Sequence, residues 1–191
     1  MNLNFYFEIL LIIQSKLFLP LFFHYGILVQ RNYLEIKSIQ DLNEVIEPNE
    51  GYSLNLLEPI NFQLNKFFYK NIGKKHKWKD RLVWTETQWI DYVGNKNVIT
   101  YVFKFKTDLA GFFELISHNE KKEVEIAYFG LLEEFQNKKL GSYLLSQAIQ
   151  KSFIDGIHRV WVHTCSLDHE NALNNYIARG MKIFKTETIK I

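Results

Sequence analysis

Hydrophobic and polar positions alternate most regularly in the middle of the chain. Three β-rich runs, Val98–Phe105, Ala110–Ser117 and Glu123–Leu131, are separated by the short polar clusters Lys106–Asp108 and His118–Lys122. Connections this short favour antiparallel neighbours, because a parallel crossover needs a dozen or more residues. The pattern therefore predicts three neighbouring antiparallel strands.

The segments on both sides of these strands predict further helices and strands. Towards the C-terminus we predict a turn at Gln136–Lys139, a helix from Gly141 to about Phe153 and a buried strand at His158–Thr164. A helix at Asp168–Arg179, with Asp168 as its N-cap, and a strand around Met181–Thr186 follow. Towards the N-terminus we predict strands at Ile27–Ile36 and Tyr52–Leu57, a short helix near Ile39–Val45, and helices at Phe62–Ile72 and Thr85–Val93, with Thr85 as an N-cap. This order of elements implies an α/β (α+β) fold with a mixed, largely antiparallel central sheet and helices on both faces.

The first residues form an apolar extension of uncertain role. The run from Ile9 to Val29 is rich in Leu, Ile and Phe, but Gln14, Lys16, Pro20 and His24 interrupt it. A spanning helix needs about 20 mostly apolar residues. We therefore interpret residues 1–27 as an extra element or an early start, with membrane attachment as the alternative, and residues 28–191 as one domain.

Composition narrows the function classes. The 191 residues carry a formal net charge of only +2, so a dedicated nucleic-acid binder is not expected. Cys165 is the single cysteine, which excludes an internal disulfide and a cysteine-based zinc site and fits a reducing, cytoplasmic location. His158, His163 and His169 lack a recognised ligand spacing, and no metal is expected. A local basic cluster is interpreted as a solvated face, with an anionic partner as the alternative: Lys66, Lys70, Lys74, Lys75, Lys77, Lys79 and Arg81.

The segment Phe129–Ser142 carries the most informative chemistry. It is a predicted strand, a tight turn and a helix that begins near a glycine. The N-terminus of a helix exposes unpaired N–H groups and a partial positive charge, which suits a phosphate or pyrophosphate. Gly141 lets the backbone approach such a ligand, and Lys138 and Lys139 add cationic donors.

Two motifs in this region resemble those of the GNAT acetyltransferase superfamily. The family's coenzyme A motif reads Gln/Arg-x-x-Gly-x-Gly/Ala, and Gln136 and Gly141 match it, whereas Lys139 replaces the middle glycine. A later helix motif, Asn-x-x-Ala-x-x-x-Tyr-x-x-x-Gly-Phe, is matched by Ala172, Tyr176 and Gly180, with Met181 in place of the aromatic residue. The family asparagine falls at His169, and Asn171 lies nearby.

The resemblance implies that the protein transfers an acetyl group from acetyl-CoA to an amine-bearing small molecule or peptide, without a metal. The coenzyme would lie between the strand ending near Leu131 and the strand ending near Thr164. Its contacts would come from Phe129, Leu131, Gln136, Asn137, Lys138, Lys139, Leu140, Gly141, Ser142 and Asn171. The main alternative is a non-catalytic acyl-CoA- or partner-binding protein of the same fold, and transfer of a longer acyl chain is also open.

The resemblance also implies two catalytic residues. Glu125, eleven positions before Gln136, would act as the base that deprotonates the acceptor amine, and Tyr176 would protonate the departing thiolate. Strand alternation predicts that Glu125 and Phe129 share one face, with Ile126 and Tyr128 on the other. Alternatively, Glu125 is an ordinary salt-bridged strand residue and Tyr176 a buried structural tyrosine. Backbone N–H groups near Phe129–Leu131 would polarise the thioester carbonyl.

Overall fold

The computed structural model describes residues 27–48, 51–154 and 156–190. The fold described below is that of the compact unit Val29–Ile189. The predictions made for residues 1–26 lie outside the described residues. The strands are β1 (Leu28–Ile36), β2 (Tyr52–Leu56), β3 (Val98–Phe105), β4 (Asp108–His118), β5 (Glu123–Leu131), β6 (Arg159–Cys165) and β7 (Lys182–Lys190). The helices are α1 (Phe62–Gly73), α2 (Glu86–Val93), α3 (Leu140–Ser152) and α4 (Ala172–Ala178).

The strands form one seven-stranded sheet in the order β2-β3-β4-β5-β6-β1-β7. The β2–β3, β3–β4, β4–β5 and β6–β1 pairs are antiparallel, and β5 and β6 are parallel. This confirms the predicted mixed, largely antiparallel sheet. The β5–β6 pairing covers only Glu123–Glu125 against Arg159–Trp161, so beyond Glu125 the two strands are no longer paired. The sheet therefore opens into a wedge between the C-terminal halves of β5 and β6.

Apolar side chains pack on both faces of the sheet. On one face, α3 buries Leu144, Leu145 and Ile149 completely against the larger core cluster, and burial of each such side chain contributes about 1.5–3 kcal/mol. On the other face, Phe68 of α1 stacks on Phe112 of β4 with ring centroids 4.8 Å apart. We call these the α3 face and the α1 face. None of the helices among the described residues is long and apolar enough to cross a membrane.

A β-bulge in β5 overturns the predicted alternation of side chains. Tyr128 pairs with Glu114 and Ile126 pairs with Leu115, so Ala127 is an extra residue in β5. Phe129 therefore packs with Ile126 on the α3 face, whereas Tyr128 packs on the α1 face. The prediction that Glu125 and Phe129 share a face is wrong, because the inserted residue reverses the alternation beyond Ile126.

Two other local predictions are also wrong. The segment predicted as a helix near Ile39–Val45 forms only a 3-10 turn at Ile39–Asp41. Asp168 is not a helix N-cap, because α4 begins at Ala172. The Asp168 carboxylate instead accepts hydrogen bonds from the Thr164 hydroxyl at 2.7 Å and from the Cys165 N–H at 2.9 Å, and so closes the turn after β6. In contrast, the predicted N-cap Thr85 is confirmed and forms a full capping box with Gln88.

The end of α4 is a Schellman motif that depends on Gly180. The N–H of Gly180 donates to the carbonyl of Ile177, and the N–H of Met181 donates to the carbonyl of Tyr176. Gly180 has a φ of +96°, and a Cβ built there would lie 2.0 Å from the carbonyl oxygen of Asp41. The C-terminal end of the helix that carries Tyr176 therefore packs directly against the backbone after β1.

Candidate active site

The turn that leads into α3 has left-handed backbone at two non-glycine residues. Asn137 has a φ of 59° and Lys139 a φ of 61°. This conformation costs most L-residues about 1–2 kcal/mol, and asparagine tolerates it better than lysine. Lys139 therefore adopts the backbone conformation for which a glycine is favoured at the middle position of the motif.

The N-terminus of α3 is open towards the turn. Lys139 is the N-cap residue, and its side chain makes no capping hydrogen bond. The N–H groups of Leu140 and Gly141 have no acceptor within the helix, as at every helix N-terminus. Apart from its chain neighbours and the backbone of its own helix, a Cβ built on Gly141 would meet within 4 Å only the Cδ1 atom of Leu131, at 3.8 Å. The turn can therefore accommodate an anion close to the backbone.

Asn175 fixes the start of α3 against α4. Its side-chain amide donates to the carbonyl of Gly141 at 3.2 Å, and its amide oxygen accepts from the Ser142 hydroxyl at 2.9 Å. Asn171, which lies near the motif's asparagine position and was predicted to contact the coenzyme, is exposed at the start of α4, and its own N–H donates to the ring of His169. Sequence reasoning missed Asn175, whose contact with Gly141 spans 34 residues.

The main chain of β5 directs donors towards the wedge. The N–H of Leu132 donates to the carbonyl of Ala110 on β4 at 2.9 Å. Because N–H groups alternate along a strand, those of Phe129 and Leu131 point to the opposite edge, where β5 has separated from β6. The Leu131 carbonyl at this edge accepts a hydrogen bond from the side chain of Gln136 at 3.1 Å, which ties the turn to the strand.

Tyr176 lies on the α3 face of this wedge. It is only 6% exposed, and its ring centroid is 6.3 Å from that of Phe129. Burial, with a smaller effect of the Asp168 charge, raises the pKa of the Tyr176 phenol, so it remains protonated well above neutral pH. The structure thus places a protonated tyrosine against the side chain of Phe129, one of the residues whose N–H groups are predicted donors.

Glu125 lies on the α1 face, at the last paired position before the wedge opens. Its carboxylate contacts the Nε2 atom of His118 at 3.1 Å, and the His118 ring stacks on Trp161 with centroids 5.9 Å apart. Glu125 is half-buried. The structure therefore brings Glu125 and Tyr176 to the two faces of one opening.

Residues 60–181 match the model of the acetyltransferase (GNAT) family. The chain belongs to the GNAT family. Curated protein sequences contain no significant match to it.

Solved structures are similar to this GNAT fold at low sequence identity. A GCN5-related N-acetyltransferase from Sphaerobacter thermophilus has a TM-score of 0.64 and 13% identity over 96% of this chain and 56% of that one. A Bacillus subtilis acetyltransferase in complex with CoA has a TM-score of 0.51 and 22% identity over 68% and 75% of the two chains. An aminoglycoside acetyltransferase from an uncultured soil metagenomic sample has a TM-score of 0.57 and 13% identity over 70% and 90%. The chain spans only 55% to 60% of the length of the first structures it matches.

A buried ion pair organises the α1 face of the GNAT domain. Glu114 on β4 is completely buried and accepts hydrogen bonds from Arg81 at 2.8 Å, from Asn65 at 2.7 Å and from Tyr92 at 3.0 Å. The Arg81 guanidinium is itself enclosed by aromatic rings, with the centroids of Tyr92 and Tyr128 at 3.9 and 4.1 Å. Arg81 thus belongs to the interior and not to the solvated basic face predicted from its sequence neighbours.

Asp80, beside this ion pair, is oriented by two tyrosines. Its side chain is 62% exposed, yet its two oxygens accept hydrogen bonds from the hydroxyls of Tyr69 at 2.8 Å and Tyr128 at 2.6 Å. Tyr128 is the residue next to the bulge in β5. A carboxylate is therefore held in one orientation on the α1 side of the opening, a feature without any local sequence signal.

The segment between α1 and Asp80 contacts both sides of the wedge. Lys75 forms a salt bridge with Glu133 at 2.5 Å, just beyond β5, and the Nδ1 atom of His76 lies 3.3 Å from the carbonyl oxygen of Leu167, beyond β6. An adjacent groove of about 310 Å³ is lined by Lys70, Lys74, Lys77, Trp78, Lys79 and Leu82. Lysines from the predicted basic cluster thus lie beside the opening.

No set of three His, Cys, Asp or Glu side chains with a metal-binding arrangement occurs within residues 27–48, 51–154 and 156–190.

Proposed function

We propose that this GNAT-family chain is an N-acetyltransferase that transfers an acetyl group from acetyl-CoA to a primary amine by direct attack in a ternary complex. The observation that carries the proposal is the junction of β5 and α3. Three features lie in succession along one opening. They are the left-handed turn at Lys139, the N-terminus of α3 without a side-chain cap, and the N–H groups of Phe129 and Leu131 that point away from β4.

The residues at this junction fit the chemical groups of acetyl-CoA in order. The N–H groups of Leu140 and Gly141 and the turn Gln136–Lys139 would hold the pyrophosphate, and Lys138 and Lys139 would add positive charge. The N–H groups of Phe129 and Leu131 would bind amide and thioester oxygens in the wedge. Leu140 is a core residue and Ser142 is bonded to Asn175, so both would act mainly through their backbone. A contact from Asn171 stays a prediction.

The protein supplies an acid and a base on opposite faces of the wedge. Glu125 would take a proton from the acceptor ammonium group, directly or through water, because only the neutral amine attacks a thioester. The new C–N bond forms as the C–S bond breaks, and Tyr176 would donate its phenolic proton to the departing sulfur. The nitrogen loses its second proton as it becomes an amide, and that proton would restore the phenol. The raised pKa of Tyr176 keeps that proton available at neutral pH.

The acceptor class proposed is an amine-bearing small molecule or peptide. The α1 face carries the exposed carboxylate of Asp80 and the half-buried Glu125, and it is the side from which such an acceptor would enter. The similarity to an aminoglycoside acetyltransferase is compatible with a small-molecule acceptor. We further propose that residues 28–191 form the catalytic domain, that residues 1–27 are an apolar extension, and that the protein is cytoplasmic, as its single cysteine allows.

The test is calorimetric titration of the full chain with acetyl-CoA, together with the variants Gly141→Ala and Gly141→Leu. The alanine Cβ fits, at 3.8 Å from Leu131, whereas leucine would fill the space beside the turn. We expect the Ala variant to bind and the Leu variant to lose at least about tenfold in affinity, since a blocked contact costs more than 1.4 kcal/mol.

Release of free thiol with a panel of primary amines then distinguishes the two classes of function. Tight binding without thiol release would favour the non-catalytic acyl-CoA-binding alternative. Equal binding by the Leu and Ala variants would show that the coenzyme does not use this turn.

A further inference from the structure

His163 occupies an unassigned position at the start of the wedge. Along β6 the side chains of Val160 and Val162 are buried on the α3 face, so His163 and Trp161 point to the α1 face. Trp161 pairs with Glu125 in the last β5–β6 pair, and His163 is two residues further along β6. His163 is thus the first residue of β6 that faces the α1 side after the strands separate.

The imidazole of His163 is free to exchange a proton. On one side it packs against the ring of Tyr33 on β1, with centroids 5.7 Å apart, and it keeps solvent access. Neither ring nitrogen has a hydrogen-bond partner within the part of the chain that the structure describes. His118, in contrast, is already bonded to Glu125.

Charged groups from four elements surround His163. Partial desolvation, followed by the Arg31 charge on β1, lowers the pKa of the imidazole, whereas Glu125 on β5, Asp168 after β6 and Asp80 before α2 act in the opposite direction. The net effect is a neutral imidazole at neutral pH, with three carboxylates close enough to stabilise the imidazolium once it forms. Cys165, on the same face, keeps its proton because burial raises the pKa of its thiol.

We infer that His163 is a catalytic residue that accepts the proton of the acceptor amine, and that Glu125 supports it by its negative charge. The inference rests on the proposed acetyl transfer and refines its base. The ammonium proton moves to a nitrogen of His163, and the neutral amine attacks the thioester carbonyl to form the C–N bond. As the C–S bond breaks, Tyr176 gives its proton to the sulfur, and the second proton lost by the nitrogen returns to the Tyr176 phenolate directly or through water. The imidazolium then returns its proton to solvent.

The test compares His163→Asn in the full chain with the control His158→Asn, a histidine just before β6. Each is measured by thiol release from acetyl-CoA with the primary amine that the wild type uses best in the panel, and with hydroxylamine, whose nitrogen is unprotonated at neutral pH. Loss of a general base costs about 10²-fold or more, so we expect that loss in kcat/KM for His163→Asn with the protonated amine. With hydroxylamine we expect a much smaller loss, and His158→Asn should match the wild type.

The pH profile provides a readout that a structural role would not change. Glu125 raises the pKa of His163, so Glu125→Gln should move the acid limb of kcat/KM to lower pH, and His163→Asn should abolish that limb. Equal losses of His163→Asn with both nucleophiles, or an unchanged acid limb, would overturn the role of His163 while acetyl transfer stands. A wild type that binds acetyl-CoA but acetylates no amine would overturn the proposed function and this role together.

Discussion

Gly180→Ala is expected to destabilise the domain severely, for two separable reasons. The first is conformational, because the φ of +96° at Gly180 disfavours any residue with a Cβ by about 1–2 kcal/mol. The second is steric, because the new Cβ would lie 2.0 Å from the carbonyl oxygen of Asp41. Forcing the backbone apart costs roughly 1–3 kcal/mol, as in other overpacked sites. It would also strain the hydrogen bond from the Asn43 N–H to the Arg179 carbonyl, worth about 1 kcal/mol.

Gly156→Ala is the matched control for this prediction. Gly156 also has a positive φ, of +83°, but a Cβ built there meets nothing within 4 Å. It should therefore show only the conformational cost. Urea unfolding of the full chain, followed by circular dichroism, gives both free energies of unfolding. We expect Gly180→Ala to lose at least about 2 kcal/mol more than Gly156→Ala. Equal losses would refute the assignment of Gly180 to a close contact with the segment after β1.

Three further predictions concern charge and protonation. Lys139→Gly removes the left-handed strain at this residue, so the free energy of unfolding should stay unchanged or rise by up to about 1 kcal/mol. Calorimetry should show that the variant binds acetyl-CoA more weakly and with less dependence on salt concentration. Tighter binding would contradict the proposed phosphate contact. Arg81→Met should lower the free energy of unfolding in urea by about 3–5 kcal/mol, because it leaves the buried Glu114 without its cationic partner. The double variant that adds Glu114→Met should recover much of that loss. Additive losses of the two substitutions would argue against the ion pair. Burial raises the pKa of Tyr92 above its ordinary value near 10. The stability that the protonated phenol contributes is therefore fully present below about pH 10 and is lost at higher pH. Tyr92→Phe should reduce the fall in Tm between pH 9 and 11.

Regular periodicity made most of the fold predictable from sequence. The strand Glu123–Leu131 was predicted with its observed bounds, and α3 differs from its prediction by one residue at each end. The N-cap Thr85 was predictable because a capping box is a local pattern. Two short motifs, anchored by Gly141 and Tyr176, were sufficient to indicate the family that residues 60–181 match.

Features that depend on distant partners were not predictable in this way. Asp168 has an N-capping side chain, but the Thr164 hydroxyl and the Cys165 N–H compete for it. Arg81 looks like one more surface cation until Glu114, 33 residues away, is placed beside it. The bulge in β5 leaves no trace in the sequence of that strand, because an extra residue is defined only by the register of its partner. The roles of Glu125, Tyr176 and the coenzyme-contacting residues stay predictions.

The bulge at Ala127 has a consequence for how this strand can change. Ala127 is half-buried, and substitutions there alter one side chain. Deleting Ala127 instead would join Ile126 directly to Tyr128 and restore regular alternation, with Glu125 and Tyr128 still on the α1 face and Ile126 and Phe129 still on the α3 face. The extra residue therefore bends and twists β5 locally beside the wedge, and its loss would leave every other side chain of the strand on the face that it now occupies.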